Sequence, residues 1–326
     1  MANIFGSPPA ILPLPENKNR PLWSVMVPVY NCAKFLPQTL ESILMQDIPE
    51  AKMQIEVVDD SSTDADVELL VNNIGKGRVR YYRQATNVGN LRNFETCLNR
   101  SQGRFIHLLH GDDKVRQGYY HKIEDLFRRY PEAGAAFTRY RYIDEYDCTL
   151  HDKRPEMQHE GILPNWLTAI GECQRIQYAA IVVKREVYEK LGTFYGPSYG
   201  EDWEMWVRIA RDYPVAYSPE VLAEYRMHHD SVSGSKYRSG EHLQDLLTVM
   251  KLIQEHLPDE NKQTILSKSR RYYASYGLKI AEKLWNRFHD REIVEAQIKQ
   301  ILNLDRSPKL YLLIALFYLK TFFKKA

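Results

Sequence analysis

From residue 22 the apolar positions alternate between two periods. Residues 23–30 (WSVMVPVY) form a short apolar run of strand length, and residues 35–46 repeat their apolar positions at helical spacing. Residues 54–58 (QIEVV) then read as a strand and 64–74 as a helix behind an Asp/Ser/Thr cap. A strand over 79–83, a helix over 90–99, a strand over 104–109 (RFIHLL), a helix over 119–130 and a strand over 133–140 continue the series. Strands and helices joined by such short links predict an α/β fold, a mostly parallel sheet with helices on both faces. Residues 143–178 are less regular, a loop-rich insertion with a helix near Trp166. A strand over 179–184, a short helix over 186–191 and a helix over 202–211 follow. Beyond about Gly240 only helical periodicity remains, with two or more amphipathic helices in 241–303. The first 21 residues carry Pro8, Pro9, Pro13, Pro15 and Pro21 and read as an extended arm. The expected organisation is an arm (1–21), an α/β domain (22–239) and an all-helical C-terminal region (240–326).

Composition narrows the class. The chain has 326 residues, 44% apolar and 26% charged, which excludes a disordered or collagen-like chain and a disulfide-stapled miniature. Lys+Arg 44 against Asp+Glu 42 leaves a net charge of +2, too little to draw the whole molecule to nucleic acid. The charge is segregated, however: residues 240–326 hold 15 Lys/Arg against 10 Asp/Glu, and the remainder 29 against 32. Cys32, Cys97, Cys148 and Cys173 are widely spaced with no CxxC, so neither a zinc site nor a disulfide framework is indicated. The N-terminus shows no export-signal pattern, and no run reaches the roughly 18–20 apolar residues of a membrane span, so a cytoplasmic protein is expected. The 14-residue segment 310–323 (LYLLIALFYLKTFF) precedes Lys324 and Lys325. It is too short to span a bilayer and suits the membrane surface, docking on the α/β domain, or pairing with a second chain.

Ligands of open parallel sheets bind at the carboxyl ends of the strands. The second strand runs into Asp59, Asp60, Ser61, Ser62, Thr63 and Asp64. The RFIHLL strand runs into His110, Gly111, Asp112 and Asp113, and Gly200, Glu201 and Asp202 open a later helix. Carboxylates gathered on one rim repel unless a cation or a proton is shared, and hard oxygen ligands suit Mg²⁺ or Mn²⁺. Each motif alone has an ordinary reading: a capped turn, a Gly-Asp-Asp turn, acidic residues at a helix N-terminus, and surface histidines at His228 and His229. Their order and spacing together raise them. Neither GxGxxG after the first strand nor GxxxxGK[ST] occurs, which disfavours a dinucleotide fold and removes the P-loop class.

VPVYN (27–31), VVDDSSTD (57–64), NVGNLRNFETCL (87–98), GRFIHLLHGDD (103–113), GEDWEMWVRIA (200–210) and YRMHHDSVS (225–233) together resemble a glycosyltransferase of family 2 with the GT-A fold. The resemblance covers roughly residues 22–235 and not the tail. It implies a Rossmann-like nucleotide-binding half and an inverting transfer of sugar from a nucleoside diphosphate to an acceptor hydroxyl. By this match Pro28, Val29, Tyr30 and Asn31 line the nucleotide, and Asp59 or Asp60 reads its base. Asp112 faces the ribose or sugar, while Asp113 holds a divalent cation (Mn²⁺ or Mg²⁺) on the diphosphate. His228 lies near that cation, although His229 departs from the commoner residue and leaves the choice of histidine open. Asp202 matches the general base.

Softer expectations are Arg92 near the donor phosphate or sugar, against a solvated helix face, and Glu201 and Trp203 on the acceptor side. Core packing is the ordinary reading of Trp203. The implied partners are a UDP-, GDP- or dTDP-linked sugar and a carbohydrate or lipid-linked acceptor, in bacterial surface polysaccharide or glycolipid synthesis. Competing readings are a catalytically degenerate family member that binds a glycan or protein, and a nucleotidyltransferase. The latter usually carries a glycine-rich loop after its first strand, whereas VPVYNCAKFL contains no glycine.

Overall fold

The computed structural model describes residues 5–15, 19–228 and 232–322. The chain divides into two compact units, one of residues 1–166, 175–195 and 208–227, the other of residues 167–174, 196–207 and 228–326. Two short stretches of the middle region group with the C-terminal helices.

The elements in order are β1 (Trp23–Val29), α1 (Leu36–Leu44), β2 (Met53–Asp59), α2 (Val67–Gly75), β3 (Arg80–Arg83), α3 (Asn90–Arg100), β4 (Phe105–Leu108) and β5 (Lys114–Val115). There follow α4 (Tyr119–Arg129), β6 (Ala135–Ile143), β7 (Thr149–Asp152), β8 (Gly161–Ile162), α5 (Trp166–Glu172), β9 (Ile181–Lys184), α6 (Arg185–Leu191), α7 (Glu201–Asp212) and β10 (Val215–Arg226). The last five helices are α8 (Val232–Ser239), α9 (Glu241–Ile253), α10 (Asp259–Phe288), α11 (Arg291–Leu304) and α12 (Pro308–Phe322).

In the first unit the main strand order is β3-β2-β1-β4-β9-β6-β10-β5, with β7 on β6 and β8 on β10. The pairs among β3, β2, β1 and β4 are parallel. Beyond β4 the sheet becomes mixed: β9 is antiparallel to both β4 and β6, and β10 is parallel to β6. The parallel pairing expected from the strand–helix alternation thus runs through β3-β2-β1-β4 and returns between β6 and β10, with β9 antiparallel between them. Every residue of β1 is buried, as befits a strand with parallel neighbours on both sides. Trp23, Val25, Val27 and Val29 join Leu36, Leu40 and Ile43 of α1 and Tyr120, Ile123 and Leu126 of α4 in one core.

β10 is the strand that periodicity failed to announce. Its Ser218-Pro219-Glu220 stretch interrupts the alternation, and the pairing with β6 shifts register between Ser218 and Val221 and again before Ala223. Proline has no N–H to give to a ladder, and a bulge breaks the two-residue repeat. β5 and β8, of two residues each, are too short to carry a periodic signal, and β7 is exposed at every position and so has no buried face to alternate.

In the second unit α10 and α11 are joined by His289 and Asp290. His289 is left-handed (φ 50°), and Asp290 caps α11 by accepting from the N–H groups of Glu292 and Ile293. A Cβ on Gly277 would approach Ile301 of α11 and Leu243 of α9 to 2.9 Å, so a glycine sets how closely these helices approach α10.

Candidate active site

β1 and β2 run in parallel register with Val29 opposite Asp59, so their loops leave the sheet side by side. Asp60 N–H donates to the Val29 carbonyl at 2.8 Å. Asn31 adopts a left-handed φ of 49°, a conformation that Asn tolerates. Its N–H donates to Ser62 Oγ at 3.0 Å, and its Oδ1 accepts from Thr63 N–H at 2.7 Å. Asp59 is buried. Its Oδ1 accepts from Ser62 N–H at 2.9 Å and its Oδ2 from the Tyr81 hydroxyl at 2.7 Å and from Arg83. Asp60 is buried too and accepts from Val88 N–H at 2.8 Å and Gly89 N–H at 2.9 Å, although burial still raises its pKa. Every oxygen of the two carboxylates thus already holds a bond within the loop region. Pro28 and Val29 are buried in the sheet, whereas Tyr30 (51% exposed) and Asn31 face outward.

β4 delivers the second group. A Cβ on Gly111 would meet Cys32 Sγ at 2.8 Å and Val29 Cγ2 at 2.9 Å, so the loop after β4 presses against the end of β1. Beyond it one ligand atom each from His110, Asp112 and Asp113 lie within 4.8 Å of one another. Asp113 is 1% exposed. Its Oδ1 accepts from Arg226 N–H at 2.9 Å, while Oδ2 is buried without a hydrogen-bond partner. Burial, reinforced by Asp112, pushes its pKa well above the usual carboxylate range. His110 stacks on Phe94 at 5.1 Å, with Tyr178 at 4.3 Å, and its Nε2 is also buried and unpartnered. Two orphaned polar atoms in one cluster are costly unless something binds them, roughly 1–3 kcal/mol each. A divalent cation fits this donor set.

Arg226, the last residue of β10, braces the loop. Its Nε donates to the Asp112 carbonyl at 2.8 Å and its Nη atoms to the Asp144 carbonyl at 3.0 Å and Gln38 Oε1 at 2.8 Å. It also pairs with Asp147 at 2.8 Å.

The second unit holds Asp202 in the first turn of α7. Gln174 donates its side-chain amide to Asp202 Oδ2, and Trp203 N–H donates to Oδ1 at 2.7 Å. Gln174 N–H in turn donates to the Tyr273 hydroxyl of α10 at 3.0 Å. The Ser269 hydroxyl, one turn earlier on α10, donates to the carbonyls of Gly171 at 3.1 Å and Glu172 at 2.8 Å. The tail helix thus anchors the segment that holds Asp202. Burial raises the Asp202 pKa to about 6, against the opposing pull of these two hydrogen bonds. Glu201 is buried. Trp203 is 0% exposed, donates Nε1–H to the Ile170 carbonyl at 2.6 Å and lies against Tyr273, so its ring serves the core and leaves no face for a sugar. His228 begins the last segment of this unit, and His229 falls outside the described residues.

Arg92 is exposed on α3 and pairs with Glu95 at 2.7 Å, the solvated-face alternative. Two residues of this region escaped the sequence reading as site members. His110 was visible only as the polar residue ending an apolar strand. Arg226 sits inside the YRMHHDSVS motif, but no local pattern could show its bracing role, because its partners are spread from Gln38 to Asp147.

A parallel β3-β2-β1-β4 half thus continues into a mixed sheet, with His110, Asp112 and Asp113 clustered just past β4. The profile of glycosyl transferase family 2 matches residues 24–201, more than half of the chain. TuaG of Bacillus subtilis, whose name assigns it to teichuronic acid biosynthesis as a glycosyltransferase, is 30% identical over 233 residues, 68% of this chain and 85% of TuaG. Two solved structures share the fold. TarS residues 1–349 of S. aureus in complex with UDP-GlcNAc has a TM-score of 0.59 and 17% identity, covering 90% of this chain and 87% of that one. The mannosyltransferase PcManGT of Pyrobaculum calidifontis, in complex with GDP-Man and Mn²⁺, has a TM-score of 0.59 and 18% identity, covering 96% and 82%. The chain belongs to glycosyl transferase family 2, and it is a transferase.

Proposed function

We propose that the protein is an inverting, cation-assisted glycosyltransferase that moves a sugar from a nucleoside diphosphate to an acceptor hydroxyl in bacterial surface polysaccharide or glycolipid synthesis. The observation that carries this reading is the cluster of His110, Asp112 and Asp113 just past β4 of a family 2 fold, in which the buried Asp113 keeps one oxygen without a hydrogen-bond partner. TuaG and TarS, with the pathway and ligand in their names, favour the same substrate class.

Tyr30 and Asn31, outward-facing at the end of β1, line the nucleotide. Asp59 and Asp60 act by holding the shape of the loops around it, and Asp112 faces the ribose or sugar. Asp113 anchors the cation, with His228 as a further candidate beside the diphosphate. A divalent cation held there by Asp113 would supply positive charge to offset the diphosphate as it leaves. Asp202 accepts the proton of the acceptor hydroxyl late in its attack, help typically about 10²–10⁴-fold in rate. Its raised pKa suits the task, because a base poised nearer neutrality has more driving force to take the proton. One direct displacement inverts the anomeric centre.

Thermal stabilisation by UDP, GDP, dTDP and CDP, each with and without Mn²⁺, tests the reading. A ligand that binds the folded state alone raises stability by mass action, so a metal-dependent shift with one nucleotide identifies the donor class. Absence of any shift would favour a degenerate binder.

The acceptor side of this reading includes a membrane. Among the described residues no helix is long and apolar enough to cross one. On α12, however, Leu310, Ile314 and Phe317 are buried while Leu312, Leu316 and Leu319 form an exposed stripe at i, i+4, i+7, with Lys309 and Lys320 at its ends. With the positive balance of residues 240–326, this stripe fits an anionic bilayer surface. Co-sedimentation with phosphatidylglycerol vesicles, but not with phosphatidylcholine alone, is expected, and Leu316→Glu should abolish it. A concentration-dependent dimer that Leu316→Glu disperses would assign the stripe to a second copy instead.

A further inference from the structure

We propose that His110 is a direct nitrogen ligand of the cation, so that the site prefers a borderline ion such as Mn²⁺ over Mg²⁺. The inference rests on reading the loop after β4 as a metal site, and it deepens that reading.

Three observations support it. The ligand atoms of His110, Asp112 and Asp113 lie within 4.8 Å of one another, close enough for one ion to gather them. The His110 ring is held by Phe94 at 5.1 Å and Tyr178 at 4.3 Å, which restrict its plane. Its Nε2 is buried without a partner, in the same cluster as the unpartnered Oδ2 of a carboxylate that is 1% exposed. A residue needed only to stack between Phe94 and Tyr178 would have no use for a buried lone pair or N–H. A cation held by this cluster would take a nitrogen from His110 and an oxygen from Asp113.

The consequence is selectivity. Two carboxylates and water form an all-oxygen set that suits Mg²⁺, a small ion that dehydrates reluctantly. An imidazole nitrogen is a softer donor and shifts affinity toward Mn²⁺ and the later ions of the divalent series. Gly111 keeps His110 and Asp112 in this arrangement, since Cys32 and Val29 leave no room for a side chain between them.

The test is direct binding to the full-length chain. Mn²⁺ is titrated alone, with UDP and with GDP, and its coupling to ¹⁴N is read by electron spin echo, with Mg²⁺ competition giving the preference. The native chain should show nitrogen coupling. His110→Gln should bind Mn²⁺ without that coupling and with its Mn²⁺/Mg²⁺ preference reduced at least tenfold, whereas His228→Asn should keep the coupling. His110→Asp supplies a second, oxygen-donating variant and should favour Mg²⁺ relative to the native chain; it decides the matter if His110→Gln fails to fold. Coupling that survives in His110→Gln, or an unchanged preference in either variant, overturns the proposal while the metal site stands. If the native chain binds no Mn²⁺ under any of these conditions, or Asp113→Asn binds it as well as the native chain, the metal-site reading itself falls and this proposal with it.

Discussion

The main-chain N–H of Arg226 donates to Oδ1 of Asp113 at 2.9 Å, across 113 positions of sequence, and so leaves Oδ2 as the oxygen for an outside partner. The Arg226 side chain secures the same loop through the Asp112 carbonyl, and it is itself wholly buried. Replacing it with Met keeps the length but leaves the Asp112 and Asp144 carbonyls and Gln38 Oε1 without their donor, while Lys114 still pairs with Asp147 at 2.6 Å. Each buried acceptor left unsatisfied costs about 1–3 kcal/mol. Urea unfolding of Arg226→Met should show a loss on that scale, and a change under about 1 kcal/mol would remove the brace from this account.

The proposed base role of Asp202 implies a pH dependence. With its folded-state pKa at about 6, a rate that depends on its ionised carboxylate should fall below that pH. Gln174 donates to the ionised carboxylate, so Gln174→Leu should move the acidic limb of the kcat profile to higher pH, with little change in affinity for the donor nucleotide. A limb that stays in place would show that Gln174 does not tune this group.

The same shift bears on stability. The folded pKa lies above the unfolded value of 3.8, so Asp202 contributes stability that is fully present below about pH 4 and lost as pH rises through about 6. Asp202→Asn has no such loss. Its melting temperature should exceed that of the native chain at pH 7–8, by about 1–3 kcal/mol in stability, and converge with it near pH 4. Sugar transfer should fall about 10²–10⁴-fold in the same variant.

Gly111→Ala probes the close approach of the β4 loop to β1. The added methyl group lies 2.8 Å from Cys32 Sγ and 2.9 Å from Val29 Cγ2, an overlap that the loop must relieve by moving. Overpacking of this kind typically costs about 1–3 kcal/mol. Calorimetry should find that loss together with weaker Mn²⁺ binding. Cys32→Ala in the same chain should recover part of both.

Asp60→Ala removes the acceptor of the Val88 and Gly89 N–H groups at the start of α3. Two donors lose a charged acceptor, so a loss of about 2–4 kcal/mol in unfolding free energy is expected. Faster hydrogen exchange at those two amides checks the cause.

Local pattern carried much of the fold. The strands and helices from β1 to β4 were legible because a two- or 3.6-residue repeat is written in about ten neighbouring residues, and Asp66 and Gly89 mark where α2 and α3 begin. The acidic motifs were legible for the same reason, as runs directly after strands. β10 was not, because Pro219 and the register shifts interrupt its repeat, yet it is the strand that delivers Arg226.

By itself the sequence determined the family, the nucleotide-type half of the sheet and the candidate residues Asp112, Asp113 and Asp202, since each is encoded in a contiguous stretch. Only tertiary structure decided which of Asp113's oxygens is left over and that His110 joins the cluster. It also decided that Asp59 and Asp60 are occupied in shaping their loops, that Trp203 belongs to a core, and that Tyr273 and Gln174 stand behind Asp202. Hydrogen bonding and burial join residues tens to more than a hundred positions apart, and no local repeat records those distances.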